Sequence, residues 1–446
     1  MIAVKIVFSI LALLIYFIAM SVMIIIERDK PKNIIIWSVI FLLTQIVGYI
    51  VYMILKIIVY KKRKSLFVKQ KEDEIYLNLA SANLKKLAPA NVDELFEFNK
   101  MAYGAEITKN SEYELISDFE KFKQSLQKEV KSAEEYILVE LATFNPDVME
   151  EFSKLLIEKS IAGVKIRFVY DYGVPKKYLK QLKTNGIKTH KFSKYAPINR
   201  AYSNMRNIIM IDGKTAFIGN LDINKKFLSK NVEVENVFLK LTGEVVQTIN
   251  LALHQDVVFA CKKYIDYKHD KLDQLRNETT MQYVTNDVCN DIELLVIKAI
   301  SMAKKSIQLE LKEFIPTESI LSLLNFAINS NIQVRLMVPL KSTKHSKYYA
   351  SRAYAKELAL FGADVYLFDG SIQSNAITID DDYVITGCYI MDRQQIGSSL
   401  QNILLIKDEK AVKYFNKQFD KAINNSYRIN DAKFMLLREK FFKNFV

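Results

Sequence analysis

Two long stretches without charged residues dominate the amino-terminal end of the chain. They cover residues 6–26 and 34–55, which are 21 and 22 residues long. About 20 apolar residues suffice for a helix to cross the hydrocarbon core of a bilayer, and backbone groups in lipid must be hydrogen-bonded internally. The pattern therefore predicts two transmembrane helices, packed as an antiparallel hairpin around a short turn at residues 27–33.

The basic run Lys-Lys-Arg-Lys at residues 61–64 follows the second stretch directly. Positive charge beside a span favours the cytoplasmic side, although the preceding turn is also basic, with Arg28, Lys30 and Lys32. A cleaved signal peptide is the alternative for the first stretch, but a small-residue cleavage site is missing and a second span follows at once. We predict a two-pass protein of the cell membrane whose remaining part is cytoplasmic.

Beyond a basic juxtamembrane connector at residues 61–110, helical and strand-like patterns occur twice in the same order. Residues 111–262 form the first copy and residues 263–425 the second. The predicted helices are 118–131, 148–160 and 176–184, then 291–304, 319–330 and 348–361, and the predicted strands are 136–141, 164–171, 306–311 and 334–338. Such alternation predicts an α/β fold built as an internal repeat of two lobes behind the transmembrane hairpin.

The last predicted unit is a basic amphipathic helix at residues 426–446. It could lie on the membrane surface, and the alternative, which we favour, is docking on the second lobe.

Half of the chain is hydrophobic, so a large core is expected and disorder is not. The three cysteines, Cys261, Cys289 and Cys388, form no CxxC pair, which indicates a reducing compartment without a disulfide framework.

The hairpin that closes each copy is the most informative part of the repeat. Residues 204–219 and 371–387 each contain a strand ending in Ile-Asp, a polar turn, a second strand and a glycine. The two aspartates, Asp212 and Asp380, are 168 positions apart, and so are the two glycines that end the hairpins. An Asp beside a tight turn favours a hairpin and Gly permits close approach, so these residues should serve the shape of the fold.

This pair of hairpins resembles the twin HxKxxxxD motifs of the phospholipase D superfamily, and the chain as far as about residue 425 resembles bacterial cardiolipin synthases. The resemblance implies two similar lobes with one site at their interface. It also implies that one His attacks phosphorus, that the partner His moves protons and that two Lys neutralise phosphoryl oxygens. For cardiolipin synthases the implied reaction joins two phosphatidylglycerols and releases glycerol.

The residues that this reaction needs are replaced in both motifs. Where the family has His and Lys before the Asp, the first motif has Met205 and Asn207 and the second has Gln373 and Asn375. A thioether and a neutral amide neither relay protons nor take up phosphorus, and Asn brings no positive charge. Loss of one nucleophile alone lowers turnover by about 10⁶. We therefore predict a rate near background and expect Met205 to face Gln373 across the cleft.

No other group in the sequence takes over this chemistry. His345 and Lys347 form an HxK pair, but Arg352 stands where the Asp is required, so a surface or capping role is favoured. The acidic run at residues 380–382 is explained by a hairpin turn, and neither metal-ligand spacing nor a phosphate-binding loop is present. We expect no metal and no cofactor, and whether the chain is an enzyme stays open.

The formal net charge of +13 favours an anionic partner, either lipid or nucleic acid. Lysines crowd equivalent segments of the two lobes, where a membrane tether would hold them near anionic headgroups. A solubilising lysine-rich face is the alternative. The candidates for binding phosphate or lipid are Asn207, Gly219, Asn220, Asn375, Gly387, Lys176, Lys177, Lys344 and Lys347.

Three functional hypotheses are compatible with these features. The first is a catalytically inactive pseudoenzyme that binds anionic phospholipid or a partner, such as an active cardiolipin synthase or another membrane protein. The second is an active phosphatidyltransferase that joins two phosphatidylglycerols with unrecognised groups. The third is a nucleic-acid-binding module, since phospholipase D folds also occur in nucleases, and the membrane hairpin argues against it.

Overall fold

The computed structural model describes residues 2–28, 31–84, 93–143, 146–192, 203–220, 234–262, 279–286, 292–341, 345–393, 395, 399–429 and 437–445. The helices are α1 (Ile2–Ile26), α2 (Pro31–Thr44), α3 (Ile46–Leu84), α4 (Glu94–Tyr103), α5 (Phe119–Ser132), α6 (Pro146–Ile161), α7 (Lys176–Thr184), α8 (Glu244–Cys261), α9 (Glu293–Met302), α10 (Glu318–Asn329), α11 (His345–Phe361), α12 (Glu409–Ile423) and α13 (Leu437–Phe445). Helices α5, α6, α7, α9, α10 and α11 correspond to those that the sequence predicts.

The strands follow the same repeated order. In the first half of the chain they are β1 (Ile107–Thr108), β2 (Ser111–Ile116), β3 (Tyr136–Thr143), β4 (Lys165–Gly173), β5 (Lys188–Lys191), β6 (Ser203–Asn204), β7 (Asn207–Ile211), β8 (Thr215–Ile218), β9 (Val234–Glu235) and β10 (Phe238–Gly243). In the second half they are β11 (Thr280–Thr285), β12 (Ser306–Glu310), β13 (Phe314–Ile315), β14 (Gln333–Pro339), β15 (Asp364–Phe368), β16 (Ser371–Ile372), β17 (Ala376–Ile379), β18 (Tyr383–Gly387), β19 (Met391–Asp392), β20 (Ser399–Leu400), β21 (Asn402–Lys407) and β22 (Ser426–Arg428).

Each lobe is built around one mixed sheet. The sheet of the first lobe has the order β2-β10-β8-β7-β3-β4-β5, and that of the second has the order β1-β11-β21-β18-β17-β12-β14-β15-β22. In both, a central strand (β3 or β12) pairs in parallel with the next strand on one side and antiparallel with the closing hairpin on the other. The predicted mixed α/β architecture with two similar lobes is therefore present.

Amphipathic helices cover these sheets, as α5 illustrates. The carboxylate of Asp118 accepts a hydrogen bond from the N–H of Lys121 and so caps the start of α5. Phe122, Leu126 and Val130 recur at four-residue spacing and are buried against the first sheet. Burial of this stripe fixes the face that α5 presents to the sheet.

The connector contributes to the second lobe, which the predicted boundaries do not show. Leu95 and Phe96 of α4 and Ile107 of β1 lie in the hydrophobic core of the second lobe. The Nδ2 of Asn99 donates to Oε1 of Gln282 at 3.0 Å, which ties α4 to β11. The second lobe is thus completed by residues that precede the first lobe in the chain.

The carboxyl-terminal segment also joins the second lobe. Residues 426–428, which the sequence predicts as the start of a helix, instead form strand β22 at the edge of the second sheet. Helix α13, at residues 437–445, lies against α11. The carboxylate of Glu439 is fully buried and forms ion pairs with Arg352 and Lys356 of α11, at 3.0 and 2.7 Å. This arrangement is docking on the second lobe, and one carboxylate is shared there between two cations of α11.

The amino-terminal helices differ from the predicted pair of straight spans. Helix α1 contains the first apolar stretch, but the second stretch is divided at Gln45, whose φ is +49°. No helix within the described ranges is both long enough and apolar enough to cross a membrane.

The division at Gln45 folds α2 back along α3. The Nδ2 of Asn33 donates to Oε2 of Glu27 at 2.9 Å, and Lys56 forms an ion pair with the same carboxylate. In one straight helix, positions 33 and 56 would be about 34 Å apart. Their shared partner shows that the two ends of the second stretch lie side by side.

Candidate functional site

Two short parallel ladders join the lobes and frame what we call the interlobe site, the region where the two closing hairpins meet. Strand β6 pairs with β20, and β16 pairs with β9. The N–H of Met205 donates to the carbonyl of Leu400 at 2.8 Å, and the N–H of Gln373 donates to that of Glu235 at 2.7 Å. The residues at the former His positions therefore occupy equivalent places, one in each ladder.

The two retained aspartates close their hairpins in the same way. Each carboxylate accepts three backbone hydrogen bonds of 2.7 to 3.0 Å, from residues 134–136 to Asp212 and from residues 304–306 to Asp380. Both residues have positive φ, 50° and 54°. Each aspartate thus fastens its hairpin to the start of the central strand, which is a role in shape.

The asparagines at the former Lys positions also bond to the backbone. The Oδ1 of Asn207 accepts from the N–H of Ala142 at 3.0 Å, and the Oδ1 of Asn375 accepts from the N–H of Lys312 at 2.9 Å. Both side chains are buried. They hold the end of the central strand in each lobe and bring no charge to it.

Side chains of the two motifs interlock across the interface. The Nδ2 of Asn220 donates to Oε1 of Gln373 at 2.7 Å, while the Nδ2 of Asn207 lies 3.9 Å from Sγ of Cys388. Burial raises the pKa of Cys388 to about 11, so its thiol stays protonated and donates to the carbonyl of Gly219 at 3.8 Å. The thiol is therefore not a nucleophile at neutral pH.

The two glycines allow close packing at the ends of the hairpins. A Cβ at Gly387, where φ is +139°, would lie 2.8 Å from the carbonyl oxygen of Asn402. At Gly219 the nearest atom would belong to Phe238, at 3.1 Å. Glycine at these two positions lets the neighbouring strands approach closely.

Lys312 brings a positive charge to the site. Its Nζ donates to Oε1 of Gln373 at 2.8 Å, and Asn220 of the other lobe donates to the same oxygen. Two donors from opposite lobes thus converge on one oxygen atom at a former catalytic position. A phosphate oxygen accepts hydrogen bonds from such donors more strongly than a neutral amide does.

The strand that leads to Lys312 carries a buried carboxyl group, Glu310. Burial raises its pKa, the hydrogen bond from Ser374 opposes this rise, and the carboxylate of Glu235 adds to it, so that the pKa is about 7. Glu310 is therefore partly protonated near neutral pH.

The first half of the site contains a buried ion network around Arg206, which lies between Met205 and Asn207 in the sequence. Its guanidinium pairs with Asp256 of α8, and Lys69 of α3 pairs with the same carboxylate at 2.9 Å. Burial alone would raise the pKa of Asp256, but these two cations lower it overall. The carboxylate is thus held ionised in the interior.

The same guanidinium also bridges the lobes. It donates to the carbonyls of Gln401 at 3.3 Å and Asn286 at 2.8 Å, both in the second half of the chain. Beside this network, burial raises the pKa of Glu140 well above its ordinary value, and the Asp256 carboxylate adds to that rise. Arg206 therefore serves the junction of the lobes, and its charge is balanced there.

The surface lysines proposed as lipid contacts differ in the two lobes. Lys176 and Lys177, at the start of α7, are exposed, and Lys177 borders an open surface cavity of about 410 Å³. Lys347 is largely buried and pairs with Glu313 at 2.9 Å and with Asp392. Its charge is thus already balanced, contrary to the expected lipid-facing role. Lys344 lies outside the described residues.

At the two former His positions stand a thioether and an amide, neither of which transfers protons at neutral pH. His254 lies inside α8, where burial lowers its pKa and Nδ1 contacts the carbonyl of Asn250. In the part of the chain that the structure describes, no group of three or more His, Cys, Asp or Glu residues could hold a metal ion.

Sequence reasoning missed Lys312, Arg206 and Glu310. A signal for one of them exists, because Glu140 and Glu310 are acidic residues at equivalent places in the two central strands, β3 and β12. Lys312 follows Glu310 by two positions, and its counterpart in the first lobe is Ala142. A single Lys in place of Ala follows no hydrophobic period, so the sequence pattern does not single it out.

Comparisons with known proteins agree with this fold. The family model described as the phospholipase D-like domain of cardiolipin synthase matches residues 296–423. The probable cardiolipin synthase YwiE of Bacillus subtilis is 26% identical over 437 residues, which cover 92% of this chain and 86% of the relative. The cardiolipin synthase of Halalkalibacterium halodurans is 25% identical over 440 residues, covering 93% and 87%.

Among solved structures, the phosphatidylserine synthase of Haemophilus influenzae superimposes with a TM-score of 0.56 at 10% identity. The alignment covers 75% of this chain and 92% of that protein. At this level of identity the likeness concerns the fold alone.

Proposed function

The chain is a member of the cardiolipin synthase and phospholipase D superfamily, and we propose that it is a membrane-anchored, catalytically inactive member that binds anionic phospholipid in the interlobe site. The observation that carries the proposal is the state of the two former His positions. Met205 cannot hold a proton, and the amide of Gln373 accepts hydrogen bonds from Lys312 and Asn220. The fold has kept its frame while its reacting groups have been replaced.

The expected loss of turnover follows from the absence of the catalytic His and Lys residues. Removal of a nucleophile alone lowers turnover by about 10⁶, and the parts of one catalytic unit do not act independently. Both nucleophile positions and both Lys positions are changed, and Asn207 and Asn375 are bonded to the backbone. A rate near that of the uncatalysed reaction is expected.

Lipid binding is supported by the convergence of Lys312 and Asn220 on one oxygen. A headgroup phosphate that displaced the Gln373 carbonyl would accept a charge-assisted hydrogen bond from Lys312 and a neutral one from Asn220. The same site could instead receive a partner protein, such as an active synthase, and then the partner would co-purify in place of lipid.

Membrane anchoring is supported by the surface of the amino-terminal helices. Large apolar side chains are exposed there, for example Phe17 on α1 at 59%, Leu43 on α2 at 75% and Val47 on α3 at 64%. Contiguous apolar surface of this kind is typical of membrane contact. We propose that the protein resides at the cell membrane with its lobes in the cytoplasm.

The binding proposal is tested with the detergent-purified full chain and short-chain phosphatidylglycerol, with phosphatidylcholine as the neutral comparison. Phosphatidylglycerol should raise the melting temperature, and Lys312→Gln should weaken its apparent affinity about tenfold, which corresponds to about 1.4 kcal/mol. Lys305→Gln is the matched control, since the Lys305 side chain is 74% exposed on the same lobe. Equal loss in both variants, or equal shifts with both lipids, would contradict a site at Lys312.

One observation favours the alternative, an active transferase. Glu310 has a pKa of about 7 and bonds to Ser374, the residue after Gln373, so it could exchange protons in the physiological range. This alternative requires that the protein produce cardiolipin and that Glu310→Gln abolish the activity.

A further inference from the structure

We propose that α2 and α3 form a re-entrant hairpin, which enters one leaflet of the bilayer and returns to the side on which the lobes lie. The inference rests on the membrane anchoring in the proposed function and replaces the two-pass topology that the sequence predicts. In the two-pass arrangement, the turn between α1 and α2 lies on the face opposite to the lobes. In the re-entrant arrangement, the turn and the lobes share one face.

The first support is the polar clamp at the base of the hairpin. Glu27 follows α1, is buried, and binds both Asn33 at the start of α2 and Lys56 in α3. The hydroxyl of Tyr52 donates to the same carboxylate at 3.3 Å. A residue of the α1–α2 turn is thus bound to the part of α3 that continues toward the lobes. One carboxylate cannot bind both groups if they lie on opposite faces of a bilayer core about 30 Å thick.

Aromatic packing between the two arms continues from this base toward the tip. The ring centroids of Trp37 and Tyr52 are 5.0 Å apart, and those of Phe41 and Tyr49 are 5.9 Å apart. These pairs bring α2 residues against α3 residues in the reverse order, as a hairpin requires. Phe41 and Tyr52 are completely buried, in a cluster that also contains Met23 of α1.

The turn at the tip is formed by Gln45, and both of its backbone groups are hydrogen-bonded. The N–H of Gln45 donates to the carbonyl of Phe41 at 2.7 Å, and its own carbonyl accepts from Tyr49 at 3.3 Å. The turn therefore leaves both backbone groups of Gln45 hydrogen-bonded, which the hydrocarbon region demands. Gly48 permits the sharp bend, because a Cβ there would lie 2.3 Å from Oγ1 of Thr44.

Four large apolar side chains are exposed at the tip, beside those of Thr44 and Gln45, and the depth of the hairpin fits one leaflet. Leu42, Leu43, Ile46 and Val47 are 73, 75, 58 and 64% exposed. From Lys56 to Gln45 a helix rises about 16 Å, which is about half of the hydrocarbon thickness. The hairpin thus reaches the middle of the bilayer without crossing it.

The charges at the open end indicate which surface the hairpin enters. Lys61, Arg63 and Lys64 are exposed on α3 directly beyond the base. Basic residues at this level would contact anionic headgroups and favour insertion from an anionic leaflet, at about 1 kcal/mol for each residue close to the surface. The occupant of the apolar surface is therefore an anionic phospholipid leaflet.

The topology is tested by cysteine labelling of the full chain in sealed membrane vesicles of both orientations. Single cysteines replace Arg28 in the turn, Leu43 at the tip and Lys177 on the first lobe, all of which are exposed. Cys261 and Cys289 are replaced by Ser to lower the background. With a membrane-impermeant maleimide, Arg28→Cys and Lys177→Cys should react in the same vesicle orientation, and Leu43→Cys should react in neither.

Labelling of Arg28→Cys only in the orientation opposite to Lys177→Cys would overturn the hairpin and restore the two-pass topology. Labelling of Leu43→Cys together with Arg28→Cys would also overturn it, because the tip would then lie in water. Recovery of the protein outside the membrane fraction would overturn both the hairpin and the anchoring. Opposite labelling in a membrane-bound protein leaves the proposed anchoring intact.

Discussion

The two halves of the interlobe site have the same hydrogen-bonded framework of one Asp and one Asn, which we call the frame. They differ in the partners of their charged residues. In both, an aspartate fastens the hairpin and an asparagine binds the end of the central strand. In the first half, charged groups pair with one another, since Arg206 and Lys69 both form ion pairs with Asp256. In the second half, Lys312 and Asn220 meet at the amide of Gln373. The two frames are thus alike, while the polar groups beside them differ between the halves.

The largest expected effect breaks the ion network of the first half. Asp256→Asn leaves Arg206 and Lys69 buried without their carboxylate, which should cost about 3–5 kcal/mol of unfolding free energy. Urea unfolding followed by circular dichroism measures this loss. Glu150→Gln, which removes an exposed pair with Lys154, is the control and should cost less than about 0.5 kcal/mol. Similar small losses in both variants would show that the network does not hold the first half together.

A pH-dependent effect is expected in the second half. The pKa of Glu310 is about 7 in the folded protein, above its ordinary value of 4.5, so the folded state binds the proton more tightly than the unfolded state. Ionisation of Glu310 therefore lowers the free energy of unfolding by about 3 kcal/mol in total as the pH rises from about 4.5 to about 7.

The substitution Glu310→Gln removes this loss and keeps an acceptor for the Ser374 hydroxyl. The variant should match the parent near pH 4.5 and be more stable than the parent at pH 8, as measured by unfolding at the two pH values. A constant difference between variant and parent across this range would contradict the buried carboxyl. The corresponding change at Glu140 would then be the comparison for the first half.

Two substitutions with smaller expected effects test whether the two hairpins are held in the same way. Asp212→Asn and Asp380→Asn each remove the charge that accepts three backbone hydrogen bonds, and Asn tolerates the positive φ at both positions. Each should cost about 1–2 kcal/mol, and the two losses of unfolding free energy should agree with each other. A loss confined to one variant would show that the two hairpins are not fastened alike.

Much of the frame could be predicted from the sequence because it depends on local patterns. The repeated hairpins around Asp212 and Asp380 follow from spacing, and the covering helices follow from apolar periodicity. The bend at Gln45 interrupts a continuous apolar stretch, in which only Gly48 indicates a bend. The attachment of α4 to the second lobe and the place of Lys312 depend on contacts between distant parts of the chain, which no local period encodes.

The central claim is that the frame is retained while the reaction is abandoned. Its most direct test is the formation of cardiolipin and free glycerol by the full chain reconstituted in phosphatidylglycerol vesicles, with protein-free vesicles as the blank. The account predicts that neither product exceeds the blank at any pH from 5 to 9. Production of both in equal amounts, abolished by Glu310→Gln, would contradict it and establish the active transferase.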